Sequence, residues 1–186
     1  MNDTALIIVD LQNDYFLGGA MELSGIEQAS HNAARILQHF RSSGQSVHHI
    51  RHISIHEGAT FFLPGTQGSE IHASASPLEG EYVIIKHFPN SFLGTDLEKT
   101  LKRQSVKHLI ICGAMSHMCI DATTRAAFDL GFGCIVAHDA CATRDLEFMG
   151  KIIPAAQVHA AFMAALNGIY ARVISTEEII ASSGVR

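Results

Sequence analysis

Val106 to Gly131 reads VKHLIICGAMSHMCIDATTRAAFDLG: a short apolar run, a polar turn and a helical period in immediate succession. Leu109 to Cys112, closed by Gly113, has the length and bounding of a buried strand. Beyond it, Ile120, Thr123, Thr124, Ala127 and Phe128 recur at helical spacing, and Gly131 supplies a stop. A buried strand that turns sharply into a helix presents the residue at the helix start at the carboxyl edge of the sheet, and that residue is Cys119. Unpaired N–H groups and the positive end of the helix dipole favour a thiolate there, which predicts a depressed cysteine pKa. The same N–H groups point where a carbonyl oxygen would become an oxyanion. The other role open to a free cysteine at this position is that of a small packed hydrophobe.

Outward from this stretch, strands and helices alternate. Ala5 to Val9 is a continuous apolar run with Asp10 at its carboxyl end. Ser24 to Ser43 reads as a helix, with Ser24 and Glu27 at capping-box spacing. Val47 to Ile53 is a second strand despite His48, His49 and His52, and Tyr82 to Lys86 is a third, buried one. Asp96 to Arg103 forms a short helix. Gly133 to Ala137 is a strand, Pro154 to Tyr170 a helix with Pro154 in its first turn, Ala171 to Ile174 a last strand and Thr176 to Ala181 a closing helix. This alternation predicts one α/β domain over 1–186, a three-layer α/β/α sandwich around a mostly parallel, Rossmann-like sheet of about six strands. The long loop 54–80 has few regular periods, and its apolar triplet Phe61, Phe62, Leu63 argues against disorder, so it is expected to act as a lid or a subunit-contact loop.

Composition narrows the partners. The 186 residues are 47% hydrophobic and 17% charged with a net charge of −5, so no basic face is offered to nucleic acid or to an anionic membrane. No leader-like start or membrane-length apolar run is present, which predicts a cytoplasmic protein. The four cysteines form no C-x-x-C pair, so neither a disulfide framework nor a zinc ribbon is expected.

Asp10, Lys86 and Cys119 each end or follow a buried strand on its carboxyl side. In a parallel sheet those edges face one way, so the three can meet in one crevice. Asp10 can also be read as a turn cap, and Lys86 as a surface lysine at a strand exit. If the three converge, their chemistry is complementary: an acid to take and return a proton, an ammonium to hold two anions, and a sulfur to attack.

The segments LIIVDLQNDYF, VIIKHFPNSF and LIICGAMSHMCIDATTRAAFDLG, in this order over nearly the whole chain, resemble the isochorismatase-like cysteine hydrolases. The fuller wording around them looks like the subgroup of streptothricin hydrolase and nicotinamidase-related amidases. The resemblance implies a catalytic triad of Asp10, Lys86 and Cys119, a cis peptide between Ala114 and Met115, and an oxyanion hole from the Met115 and Cys119 N–H groups. It implies hydrolysis of a small carboxamide or lactam through a Cys119 thioester, with no cofactor, in a homodimer or homotetramer. Tyr15, Phe16, Phe62, Ser91, Phe92 and His117 are the pocket candidates. Two alternatives stand beside this: a metal-dependent nicotinamidase, and an oligomeric binding protein with an idle triad. Nicotinamidases carry Asp-x-His after the second strand, whereas this chain reads HHIRHISIH with no aspartate, leaving His52, His56 and His72 as possible ligands and no metal as the expectation.

Overall fold

A computed structural model describes residues 3–183; the ends of the 1–186 domain expected from sequence lie outside the described residues. The chain runs β1 (Thr4–Val9), α1 (Ile26–Ser42), β2 (Ser46–His52), β3 (Tyr82–Lys86), α2 (Leu97–Arg103), β4 (His108–Ala114), α3 (Asp121–Asp129), β5 (Gly133–Ala142), β6 (Leu146–Phe148), β7 (Lys151–Ile153), α4 (Ala155–Leu166), β8 (Arg172–Ile174) and α5 (Thr176–Ser183). Six strands form one sheet in the order β3-β2-β1-β4-β5-β8, every neighbouring pair parallel.

The alternation of β1 shows why three layers form. Leu6 and Ile8 pack on one face with Ile36, Leu37 and Phe40 of α1 and Ile179 of α5. Ala5, Ile7 and Val9 pack on the other with Leu97 and Leu101 of α2, Ala127 of α3, and Met163 and Leu166 of α4. A strand covered on both faces must be apolar at every position, and this is why β1 reads as a continuous run.

From β1 the chain winds outward through β2 to β3, then returns to place β4 on the other side of β1. The reversal makes the carboxyl ends of β1 and β4 a topological switch point, where a crevice opens in folds of this kind. Gly113 permits the close approach of the two strands: at φ +122°, a Cβ there would lie 2.0 Å from the Val9 carbonyl oxygen.

Several expectations need correction. Helix α1 starts at Ile26 behind a left-handed Gly25 with no side-chain cap, because residue 24 is drawn away, its N–H donating to the Thr143 carbonyl at 3.0 Å. Strand β3 is an edge strand rather than a buried one: Tyr82, Val83 and Ile85 are exposed and only Lys86 is enclosed. Helix α4 stops at Leu166, and the antiparallel hairpin β6–β7 occupies a segment with no expected element.

Candidate active site

Each group of the site is delivered by a strand end. Asp10 follows β1 in the left-handed region, φ +51°, a conformation that costs a non-glycine residue free energy and tends to persist where the surroundings impose it. Lys86 is the last residue of β3 and the register partner of His52 at the end of β2, so the two side chains stand side by side. Cys119 lies in a one-turn π-helical segment, Ser116–Ile120, between β4 and α3. The Met115 carbonyl closes this turn by accepting from Met118 N at 3.0 Å and Ile120 N at 3.2 Å, and the Ala114–Met115 peptide is cis. The turn is pinned from outside: Ser116 Oγ donates to the Ala142 carbonyl at 3.2 Å and lies 2.8 Å from His159 Nδ1, while His117 Nδ1 is 2.6 Å from Thr143 Oγ1.

The three side chains meet. Lys86 Nζ is 2.7 Å from Asp10 Oδ2 and 3.3 Å from Cys119 Sγ. Asp10 and Lys86 are 0% exposed and Cys119 is 6% exposed, so the sulfur is the member reachable from outside. Burial works against the charge on Lys86, but the Asp10 carboxylate and the Cys119 sulfur more than offset it, and the amine titrates above an ordinary lysine.

Cys119 departs from the expected depressed pKa. Burial, seconded by the Asp10 carboxylate, pushes the thiol upward, and Lys86 opposes them only in part. The resting pair is therefore a thiol beside a carboxylate, both facing one ammonium.

The pocket candidates divide. Tyr15 and Phe62 pack with ring centroids 4.6 Å apart and planes tilted by 56°, both 1% exposed, and Phe62 is 6.0 Å from the His52 ring. Tyr15 is held protonated first by burial and then by the negative charge that the Cys119–Asp10 pair carries. Phe62 arrives from the 54–80 loop, whose backbone is tied down: Phe62 N donates to Asp14 Oδ2 at 2.6 Å, and His72 N to the Leu11 carbonyl at 2.8 Å. His117 sits in the turn itself. Phe16 instead stacks on His72 at 3.6 Å. Ser91 is bound to Thr123 Oγ1 at 2.7 Å and Phe92 stacks against Phe132, so these two fasten the loop after β3 onto the core.

The suggested metal ligands do not assemble. His56 is exposed, and His72 Nδ1 lies 2.9 Å from Ser74 Oγ. His52 Nδ1 faces Lys86 Nζ at 3.0 Å. Among the described residues, the donors that converge are Asp10, His52 and Cys119, within 4.8 Å of one another, and the Lys86 ammonium already stands among them. This donor set does not fit a metal held alongside that cation.

Two further participants went unremarked in the sequence. Gln12, fully buried, clamps His52 through its backbone, and Arg144, exposed, is close enough for its charge to act on Tyr15 and His117. Their only sequence signal is proximity to the DLQNDYF and TRD segments.

A doubly wound α/β domain carrying a thiol, a carboxylate and an ammonium at its switch point defines a class of protein built around a strand-end cysteine. The isochorismatase domain matches residues 4–178, and the chain belongs to the isochorismatase family. It is 54% identical over 177 residues to the uncharacterized isochorismatase family protein YddQ of Bacillus subtilis, covering 95% of this chain and 98% of that one. A crystal structure from Oleispira antarctica ascribed to an isochorismatase hydrolase superposes with a TM-score of 0.93 at 55% identity, covering 97% of each chain. Streptothricin hydrolase of Streptomyces noursei is 32% identical over 157 residues, 82% of this chain and 55% of that one. Among the described residues no helix is long and apolar enough to cross a membrane.

Proposed function

We propose that this protein hydrolyses a C–N amide bond in a small carboxamide or lactam through a thioester on Cys119. The observation that carries the reading is one buried ammonium in contact with both a carboxylate and a thiol, Lys86 Nζ to Asp10 Oδ2 at 2.7 Å and to Cys119 Sγ at 3.3 Å. As the sulfur adds to the carbonyl carbon, its proton passes to Asp10, and Lys86 faces the negative charge before and after the transfer. The Met115 and Cys119 N–H groups receive the oxyanion. When the tetrahedral adduct collapses, the C–N bond breaks and the nitrogen leaves as ammonia or an amine with the proton from Asp10. A water then gives a proton to Asp10 and its oxygen to the thioester carbon. The acid departs, and the sulfur recovers its proton. Chain, substrate and water supply every proton and electron pair.

The relationship to streptothricin hydrolase supports a hydrolase acting on a small molecule. Self-association in a dimer or tetramer is supported by the bare apolar tip of the β6–β7 hairpin, where Phe148 is 68%, Met149 85% and Ile152 71% exposed. The test is a panel of primary amides, lactams and nicotinamide followed by ammonia or carboxylate release. At least one should turn over, and Cys119→Ala should abolish it. Turnover that survives Cys119→Ala refutes the thioester.

A further inference from the structure

An ammonium has three N–H donors, and three acceptors surround this one: Asp10 Oδ2 at 2.7 Å, His52 Nδ1 at 3.0 Å and Cys119 Sγ at 3.3 Å. Of these, His52 is held with unusual care. His52 N donates to Gln12 Oε1 at 2.7 Å, and Gln12 Nε2 donates back to the His52 carbonyl at 2.8 Å and to the Ser69 carbonyl at 2.8 Å. A fully buried glutamine thus fixes the main chain of the residue whose ring meets Lys86.

We infer that His52 is a positioning residue of this site: its neutral imidazole, with the proton on Nε2, accepts the third N–H of Lys86 and so aims the other two at the Asp10 carboxylate and the Cys119 sulfur. The inference rests on Cys119 being the nucleophile. Burial, with help from Lys86, His87 and His56 and against Asp10, holds the His52 pKa to about 4, so the ring stays an acceptor throughout neutral pH. Neutrality matters as much as position. A carboxylate in the same place would also hold the ammonium, but it would add a negative charge beside the sulfur and make the thiolate harder to form. The remaining titratable groups facing the site are Tyr15, protonated, with Asp14 and Arg144 beyond it.

Three substitutions separate these roles. His52→Gln keeps a neutral acceptor, His52→Leu removes it, and His52→Asp keeps an acceptor but adds charge. The readout is the pH dependence of iodoacetamide alkylation at Cys119, followed by the mass of the Cys119 peptide, with EDTA present. Relative to wild type at about pH 8, His52→Gln should react within about twofold. His52→Leu and His52→Asp should each react about tenfold more slowly, the net of a midpoint about two pH units higher and a gain of about eightfold in nucleophilicity of the more basic thiolate. Equal profiles for His52→Leu and wild type overturn the inference, as does a His52→Gln profile as impaired as that of His52→Leu. Should the leucine variant not fold, the Gln and Asp variants decide, and identical profiles for those two overturn it. Because alkylation needs no amide substrate, an amidase panel that fails with the His52 series intact refutes only the proposed reaction. An active panel with a flat His52 series refutes only the positioning.

Discussion

Asp10→Asn should move two readouts of the same site in opposite directions. In the proposed reaction the carboxylate accepts the Cys119 proton, and its charge is also one of the forces pushing the thiol pKa up. Asparagine keeps the shape and removes the charge, leaving Lys86 3.3 Å from the sulfur. The donor atoms of Asp10 and Cys119 lie within 4.8 Å. At that separation two unit charges in an effective dielectric of about 20 interact by about 3 kcal/mol, which is about a hundredfold in the acidity constant of the thiol. The thiolate population at fixed pH rises by that factor. Each thiolate, being less basic, loses about eightfold in nucleophilicity, so alkylation of Cys119 should run about tenfold faster. Amide hydrolysis, which needs the carboxylate as its proton carrier, should fall by about a hundredfold or more. Iodoacetamide labelling followed peptide by peptide checks the first number, and ammonia release the second. Burial raises the thiols of Cys112, Cys134 and Cys141, and Asp10 is not among the charges acting on them, so their labelling should not change with the substitution and serves as the control. Alkylation that slows or stays level in Asp10→Asn would refute the charge coupling on which the mechanism rests.

Two further outcomes concern the scaffold. Lys86→Met leaves the Asp10 carboxylate buried and unpaired and should cost about 3–5 kcal/mol, seen as a fall in melting temperature of about 6–20 °C; adding Asp10→Asn should restore most of it. Because the Lys86 pKa is raised in the fold, its contribution is complete below the ordinary lysine value of 10.5 and is lost as pH climbs from there through the folded value. The wild-type urea midpoint should accordingly decline above about pH 10, and the Lys86→Met midpoint should lack that decline. Gly113→Ala would bring a Cβ to 2.0 Å from the Val9 carbonyl oxygen at a φ of +122° and should destabilise the domain by about 3 kcal/mol or more, measured by urea unfolding.

What the sequence makes legible is what periodicity and strand ends encode. The apolar runs before Asp10 and Cys119 are continuous because β1 and β4 are covered on both faces, so strand, turn and exposed terminal residue can be read directly. The same reasoning misjudges β3, since YVIIK looks equally apolar at a sheet edge and in its middle; tertiary position alone distinguishes them. The β6–β7 hairpin escapes because each strand has three residues and its Met149-Gly150 tip lacks an Asn-Gly or Asp-Gly signal. The histidines of β2 are indistinguishable in sequence, yet they separate in space. His48 lies against Ser46 and Gln104, His49 pairs with Glu81, and only His52 falls in register with Lys86. The direction of the Cys119 pKa was hidden for a related reason: helix-end electrostatics can be inferred from a turn, whereas burial depends on everything packed around it.

That raised thiol pKa is compatible with a nucleophilic sulfur once charge is followed through the site. Before attack the trio holds a carboxylate, an ammonium and a thiol. After the proton moves it holds a carboxylic acid, an ammonium and a thiolate. The net charge is zero both times. With Asp10 and Lys86 wholly enclosed, creating an unbalanced charge would cost several kcal/mol, whereas transferring a proton between two groups that face one ammonium only relocates the negative charge. The high pKa describes loss of the proton to bulk water with Asp10 still ionised, a different step from transfer to Asp10 itself. Substitutions that make the site more negative, Lys86→Met and His52→Asp, should therefore suppress thiol reactivity, the neutral exchange His52→Gln should preserve it, and Asp10→Asn, which leaves the site positive, should raise it. That ranking follows charge and not side-chain volume, so a result ordered by size would place the control of the sulfur in packing.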